Sequence, residues 1–179
     1  MEYSNVAEIF AANAEIRKRF AGMAAGIPDH EASVVYDGAK WSIKQIIEHV
    51  AMVDQGITRI CGKLISEAKR QGKFSNGTIA ISSRFIQAID TIGREKLEAP
   101  SQVQPTNNIE VADSLRLIFA NGDLFESMRT DFETYELSEP TFPHPYFGAM
   151  TATEWLVLAG GHQMRHLRQI KGLLSTARQ

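Results

Sequence analysis

The stretch Trp41-Ser42-Ile43-Lys44-Gln45-Ile46-Ile47-Glu48-His49-Val50 marks where a helix begins and which side of it faces inward. Ser42 stands three residues before Gln45, a spacing at which each side chain can satisfy a free backbone N–H at a helix start. The apolar stripe that follows, Ile46, Val50, Val53, Ile57, Ile60 and Leu64, keeps helical spacing to about Lys69. Gly56 and Gly62 weaken the helix locally or admit a close neighbour. His49 falls between Ile46 and Val53 on the core side of the stripe.

Three further segments carry the same period. Upstream, Val6, Ile9, Phe10, Ile16, Phe20 and Met23 form a first helix, which Gly26-Ile27-Pro28-Asp29 ends because Pro28 biases its predecessor away from helix. Downstream, a third helix spans about Glu110 to Tyr135, with Leu117, Leu124, Phe125, Met128, Phe132 and Tyr135 on one side and Asn107 with Glu110 as a capping pair. The fourth starts at Thr151-Ala152-Thr153-Glu154 and carries Trp155, Leu158, Ala159, Ile170 and Leu173 along one face. Arg165, Arg168, Lys171 and Arg178 lie off that face or near the C-terminal end, where they suit the helix dipole and read as a solvated surface.

Helices two and three are separated by a long connection, Gln71 to Asn108. Within Ser82 to Leu97, Phe85, Ile86, Ile89 and Ile92 predict a shorter helix, and Pro100 and Pro105 then force an extended path. A connection this long can return the chain to its starting end, so helices two and three can run parallel. No strand pattern exceeds a few residues. The expectation is an all-α chain with a long crossover between helices two and three, in one domain over residues 1–179.

Composition narrows the partners. Apolar residues make up 44% of the chain, enough for an ordinary core. With 19 basic against 21 acidic side chains the net charge is -2, which supplies no field for a polyphosphate backbone, so nucleic acid is not expected as a partner. Cys61 is the only cysteine, which excludes an intrachain disulfide and a zinc site built on paired thiolates. Met1-Glu2-Tyr3-Ser4-Asn5 does not open a secretory signal. The longest stretch without a polar side chain, Phe20 to Pro28, is nine residues, too short to span a bilayer. No membrane partner and a reducing, cytoplasmic setting are expected.

Chemistry concentrates in the histidines: His30, His49, His144, His162 and His166. His162 and His166 are four apart, so on a helix they share a face, about 6 Å apart along the axis. Trp155, Ala159, Ile170 and Leu173 lie on roughly that face, so the pair points inward. Burying two imidazoles without partners is costly, which calls for a ligand or a hydrogen-bonded network. With His49, they would offer three neutral nitrogens from two helices, a metal site with positions left open. Spacing alone leaves the alternative standing, that these are hydrogen-bonded core histidines. In His162-Gln163-Met164-Arg165-His166, Gln163 occupies the place where a zinc protease needs a glutamate base, which disfavours that class. No Glu-x-x-His pair appears on two helices, which disfavours a ferritin-like site.

Taken together, Trp41 to Val50, the loop His144-Pro145-Tyr146-Phe147-Gly148-Ala149-Met150-Thr151, and Glu154-Trp155 followed by His162 to Ile170 resemble the DinB/YfiT-like metalloenzyme superfamily over nearly the whole chain. The resemblance implies a four-helix bundle with its long crossover after helix two. It also implies His49, His162 and His166 as ligands of one divalent ion, Zn or Ni foremost, although nitrogen ligands also admit Cu, Co and Fe. Relatives with assigned activities include thiol S-transferases and isomerases using a low-molecular-weight thiol, and others are classed as hydrolases. The implied activity is therefore a metal-dependent transferase or hydrolase acting on a small molecule, with homodimers common. The alternative is a non-catalytic helical bundle whose metal site is structural or empty. His144, before helix four, could contact substrate, act as an acid or base, or simply brace its loop. Trp41 and Trp155 either wall a pocket or pack the core. Gly160 and Gly161 allow close approach. Glu48, turned about 100° from His49, faces elsewhere, and Cys61 reads as a buried small hydrophobe.

Overall fold

The computed structural model describes residues 3–79, 81–92 and 97–177. Arg178, read above as part of a solvated face, lies outside them. Each main helix starts where its cap is written. Helix α1, Val6–Ala25, begins at Asn5, whose side chain accepts from the Glu8 N–H at 3.0 Å. After a single turn, α2 (Asp29–Ala32), helix α3 (Ile43–Gln71) opens with the Ser42–Gln45 box, both bonds formed at 3.0 and 3.2 Å. It closes on Gly72 at φ 66, a left-handed conformation that glycine adopts without a Cβ clash.

The crossover holds α4 (Ser83–Ile92) and a 3₁₀ turn, Ser101–Val103, before α5 (Val111–Ser127) and α6 (Arg129–Thr134). Strands β1 (Thr141–His144) and β2 (Gly148–Thr151) pair antiparallel with Thr141 opposite Thr151 and His144 opposite Gly148. The chain then enters α7, Ala152–Ala177, through a second box in which Thr151 and Glu154 exchange bonds at 3.0 and 3.2 Å.

Two expectations are corrected. Helix three is not continuous from Glu110 to Tyr135, because the helix bends at Met128. Ser127 Oγ bonds back to the Leu124 carbonyl at 2.7 Å, a bond that competes with the helical ladder. The new direction places Phe132 edge-on to Phe10 in the core, with ring centroids 5.7 Å apart. Nor do Asn107 and Glu110 form a capping box. Asn107 is left-handed at φ 66 with its N–H taken by Glu48, while Glu110 caps with no side-chain bond and pairs instead with Lys44 at 2.8 Å.

The four-helix bundle consists of α1, α3, α5 with its continuation α6, and α7. Contacts between α3 and α5 advance together, Lys44 with Glu110 and Ala51 with Asn121, so these helices are parallel, as the long crossover allows. Contacts between α3 and α7 run oppositely, Cys61 with Ala152, Asp54 with Gln163 and His49 with His166, so that pair is antiparallel. Two apolar clusters fill the bundle. One gathers Ile9, Phe10, Leu64, Phe125, Phe132 and Leu156; the other gathers Phe20, Ile46, Ile47, Ile118, Leu167 and Ile170. Where the two clusters meet, buried polar side chains come from all four helices, among them Asn13, Asp54, Asn121 and Gln163. Among the described residues no helix is long and apolar enough to cross a membrane.

Candidate metal centre

The capping box starts α3 at Ile43, and His49, two turns in on its core side, faces the middle of α7. There the structure brings together the three histidines singled out by sequence. His49 Nε2 lies 3.2 Å from His162 Nε2, and His166 Nε2 lies 3.1 Å from the same atom. The three ligand atoms all fall within 4.8 Å of one another. His49 and His166 are buried and His162 is partly buried.

Hydrogen bonds fix two of the three tautomers. His49 Nδ1 is 2.6 Å from the Val103 carbonyl, which can only accept, so the proton sits on Nδ1 and the Nε2 lone pair points inward. His166 Nδ1 donates likewise to Gln169 Oε1 at 2.8 Å. His162 Nδ1 is buried without a hydrogen-bond partner. One proton on His162 Nε2 could satisfy only one of its two neighbours, leaving a lone pair facing a lone pair at about 3 Å. A proton shared among the three is disfavoured, because burial lowers the pKa of all three and takes His166 to about 3. Neutral imidazoles are the form that binds metal. Nitrogens each about 2.0–2.1 Å from one ion stand roughly 3.0–3.4 Å apart, a spacing that the His49–His162 and His162–His166 pairs match, so the donor set suits a single cation centred near His162 Nε2.

The surroundings sort the remaining candidates. Trp41 lies against His49 with centroids 4.9 Å apart, forming a wall of the site. Trp155 is buried and reaches the Phe142 carbonyl at 3.4 Å, so it packs the core while also touching His144 at 5.2 Å. His144 is not one of the three clustered ligands. Its Nδ1 accepts from the Tyr146 and Phe147 N–H groups at 3.1 and 3.2 Å, which braces the hairpin turn and leaves its proton on Nε2. Burial lowers its pKa to about 4, and it is near enough for its charge to disfavour one on His162. Cys61 is buried beside the Ala152 carbonyl, away from the histidines. A cavity of about 240 Å³ bounded by Asn5, Thr78, Phe132, Leu137 and Thr153 lies at the other end of the bundle.

Periodicity missed three groups. Gln169, one turn beyond His166, carried a readable signal, since residues three apart on a helix are neighbours. The Val103 carbonyl carried none, because it is backbone delivered by the crossover. Glu48 does face away from the imidazoles, but there it accepts three hydrogen bonds from Thr106 and Asn107.

Comparison with known proteins agrees with this architecture. The uncharacterized protein YuaE of Bacillus subtilis (strain 168) is 22% identical over 148 residues, 82% of this chain and 85% of that protein. The crystal structure of TT2238, a four-helix bundle protein, aligns with a TM-score of 0.61 at 18% identity, covering 93% of this chain and 98% of that one. That likeness is one of fold. Residues 12–170 match the DinB superfamily, and by that match, over most of its length, the chain belongs to it.

Proposed function

We propose that this chain is a metal-dependent enzyme of the DinB type, in which His49, His162 and His166 hold one divalent ion. The observation that carries the reading is the convergence of three imidazoles, with His162 Nε2 3.2 Å from His49 Nε2 and 3.1 Å from His166 Nε2 and all three ligand atoms within 4.8 Å of one another. Two of them present lone pairs because their Nδ1 protons are committed elsewhere. Three nitrogen donors suit Zn or Ni and leave coordination positions open. When bound, the ion supplies a Lewis acid that lowers the pKa of a coordinated thiol or water.

The chain's own residues supply the rest. Val103 and Gln169 hold two rings in register, Trp41 shields His49, and His144, partly exposed on its braced loop, offers an Nε2–H as a hydrogen-bond donor to a substrate atom. With burial lowering its pKa to about 4, His144 is a donor in its neutral form and not a cation at neutral pH. The reaction is a thiol S-transfer or a hydrolysis on a small molecule, and the same reading includes a homodimer in a cytoplasmic setting.

The test is metal analysis of untagged protein purified without added metal. About one ion per chain is expected, and His166→Ala should abolish binding while preserving the helical circular dichroism. A stoichiometry near zero after incubation with Zn and Ni would overturn the metal reading and leave a non-catalytic helical module. Mixing protein, low-molecular-weight thiols and a chloro-dinitrobenzene electrophile then decides the transferase branch, which a rate no higher than background would remove.

A further inference from the structure

We propose that Glu48 is a positioning residue for the histidine site: by gripping Thr106 and Asn107 it holds the crossover segment whose Val103 carbonyl orients His49. The inference rests on the three-histidine reading, and it concerns hydrogen bonds that exist without an ion.

Glu48 is 1% exposed, and a buried carboxylate needs partners. It has them all from one place: Oε1 accepts from Thr106 N at 2.8 Å and Thr106 Oγ1 at 2.6 Å, and Oε2 accepts from Asn107 N at 2.8 Å. Charge-assisted bonds of this kind are roughly twice as strong as neutral ones. Consecutive residues on a helix are turned about 100° apart, so Glu48 and His49 grip the returning segment at different points. His49 takes it at Val103, and Glu48 takes it three and four residues further on.

The link between the two grips is short and stiff. It contains Pro105, whose φ is fixed by its ring. Asn107 sits at φ 66, a left-handed conformation that asparagine tolerates better than most non-glycine residues, and the bond from its N–H to Glu48 holds it there. On the other side, the Val103 N–H closes the 3₁₀ turn on the Pro100 carbonyl at 3.0 Å. Val103 is therefore set from both sides, and Glu48 supplies the anchor nearer to α5. Without it, Asn107 can relax, the Val103 carbonyl can move off His49 Nδ1, and the imidazole is free to carry its proton on Nε2, where it would oppose an ion.

The experiment uses Glu48→Gln, whose amide opposes N–H donors, and Thr106→Val, which at an exposed position removes the hydroxyl that donates to Glu48 and accepts from the Asn108 N–H while leaving both backbone bonds to Glu48. In metal-free protein, ¹⁵N-labelled imidazole spectra should show His49 with its proton on Nδ1 in the wild type and a mixture of tautomers in Glu48→Gln. Affinity for Co(II) or Ni(II) should fall 10–100-fold in Glu48→Gln and less in Thr106→Val, with helical circular dichroism unchanged. Should Glu48→Gln fail to fold, Thr106→Val must still show the tautomer shift in the same direction. An unaltered His49 tautomer with affinity within twofold of wild type in the folded variants overturns the proposal. If the wild type binds no ion, the metal reading fails by itself and the tautomer result alone decides the role of Glu48.

Discussion

Adjacent glycines on α7 should respond to the same substitution with opposite signs. At Gly160, which is buried, an added Cβ would lie 2.0 Å from Asn13 Oδ1 and 2.9 Å from its Cγ, far inside contact distance. Asn13 cannot simply swing aside, because it is itself buried and its Nδ2 bonds the Leu156 carbonyl at 2.8 Å. At Gly161, which is exposed, nothing lies within 4 Å of the new atom. Both changes gain about 1 kcal/mol from helix propensity. For Gly160→Ala that gain is opposed by overpacking of about 1–3 kcal/mol, or by loss of the Asn13 bond, which leaves a buried amide unpaired at about 1–3 kcal/mol. If both penalties apply, the net destabilisation is about 1–5 kcal/mol, against a stabilisation of about 0.5–1 kcal/mol for Gly161→Ala. In a chain of 179 residues each kcal/mol moves Tm by about 2–4 °C, so urea and thermal unfolding resolve the difference easily. Asn13→Ala in the Gly160→Ala background should recover part of the loss through a favourable coupling of about 1 kcal/mol. Equal effects at the two glycines, or no coupling with Asn13, would refute the claim that Gly160 sets the approach of α1 to α7.

Two further outcomes follow from buried titratable groups. Burial raises the Asp54 pKa from 3.8 to about 7, so between those values the folded state holds a proton the unfolded state has lost, and stability attributable to Asp54 falls as pH rises. The span corresponds to about 4 kcal/mol. Because the buried histidines change stability in the opposite direction as pH rises towards 6.5, the informative quantity is the urea-derived stability of Asp54→Asn minus that of wild type, measured without metal. That difference should grow from pH 4 to 7, and a flat difference would show that Asp54 is ionised throughout. Cys61, fully buried and with its thiol pKa pushed up, should react with a disulfide reagent no faster than the chain unfolds; fast labelling of native protein would contradict its burial.

How much of this was legible depended on whether a residue spoke through period or through partners. Ser42 with Gln45 and Thr151 with Glu154 announced their helices because a cap is a local pattern. Ile46, Val50 and Ile57 on α3 announced a buried face for the same reason. The bend at Met128 was not legible, since neither proline nor glycine marks it and its cause is a serine hydroxyl turning back onto Leu124. Asn107 with Glu110 matched a capping pattern, yet a more distant carboxylate, Glu48, captured the Asn107 N–H first. His49, His162 and His166 could be named from spacing and resemblance, but the tautomers that aim them depend on Val103 and Gln169. Val103 arrives by a crossover whose path no local rule predicts.

The polar layer between the two apolar clusters shows what the apolar period leaves undetermined. A stripe at helical spacing nearly repeats after seven residues, so sliding α7 along α3 by two turns would bring apolar faces together again. The same slide would separate Gln163 Nε2 from Asp54 Oδ2, now 2.6 Å apart, and leave Asp54 fully buried with no donor. Leaving a buried polar group without its partner costs about 1–3 kcal/mol, and more where it is charged, a sizeable part of a domain's stability margin. It would equally part Asn13 from the Leu156 carbonyl if α1 did not follow. Register between α3 and α7 is thus set by residues that read, one by one, as misplaced polar side chains in an apolar face. That register is what brings His49 within 3.2 Å of His162, next in sequence to Gln163, so the polar layer fixes the geometry on which the metal reading depends.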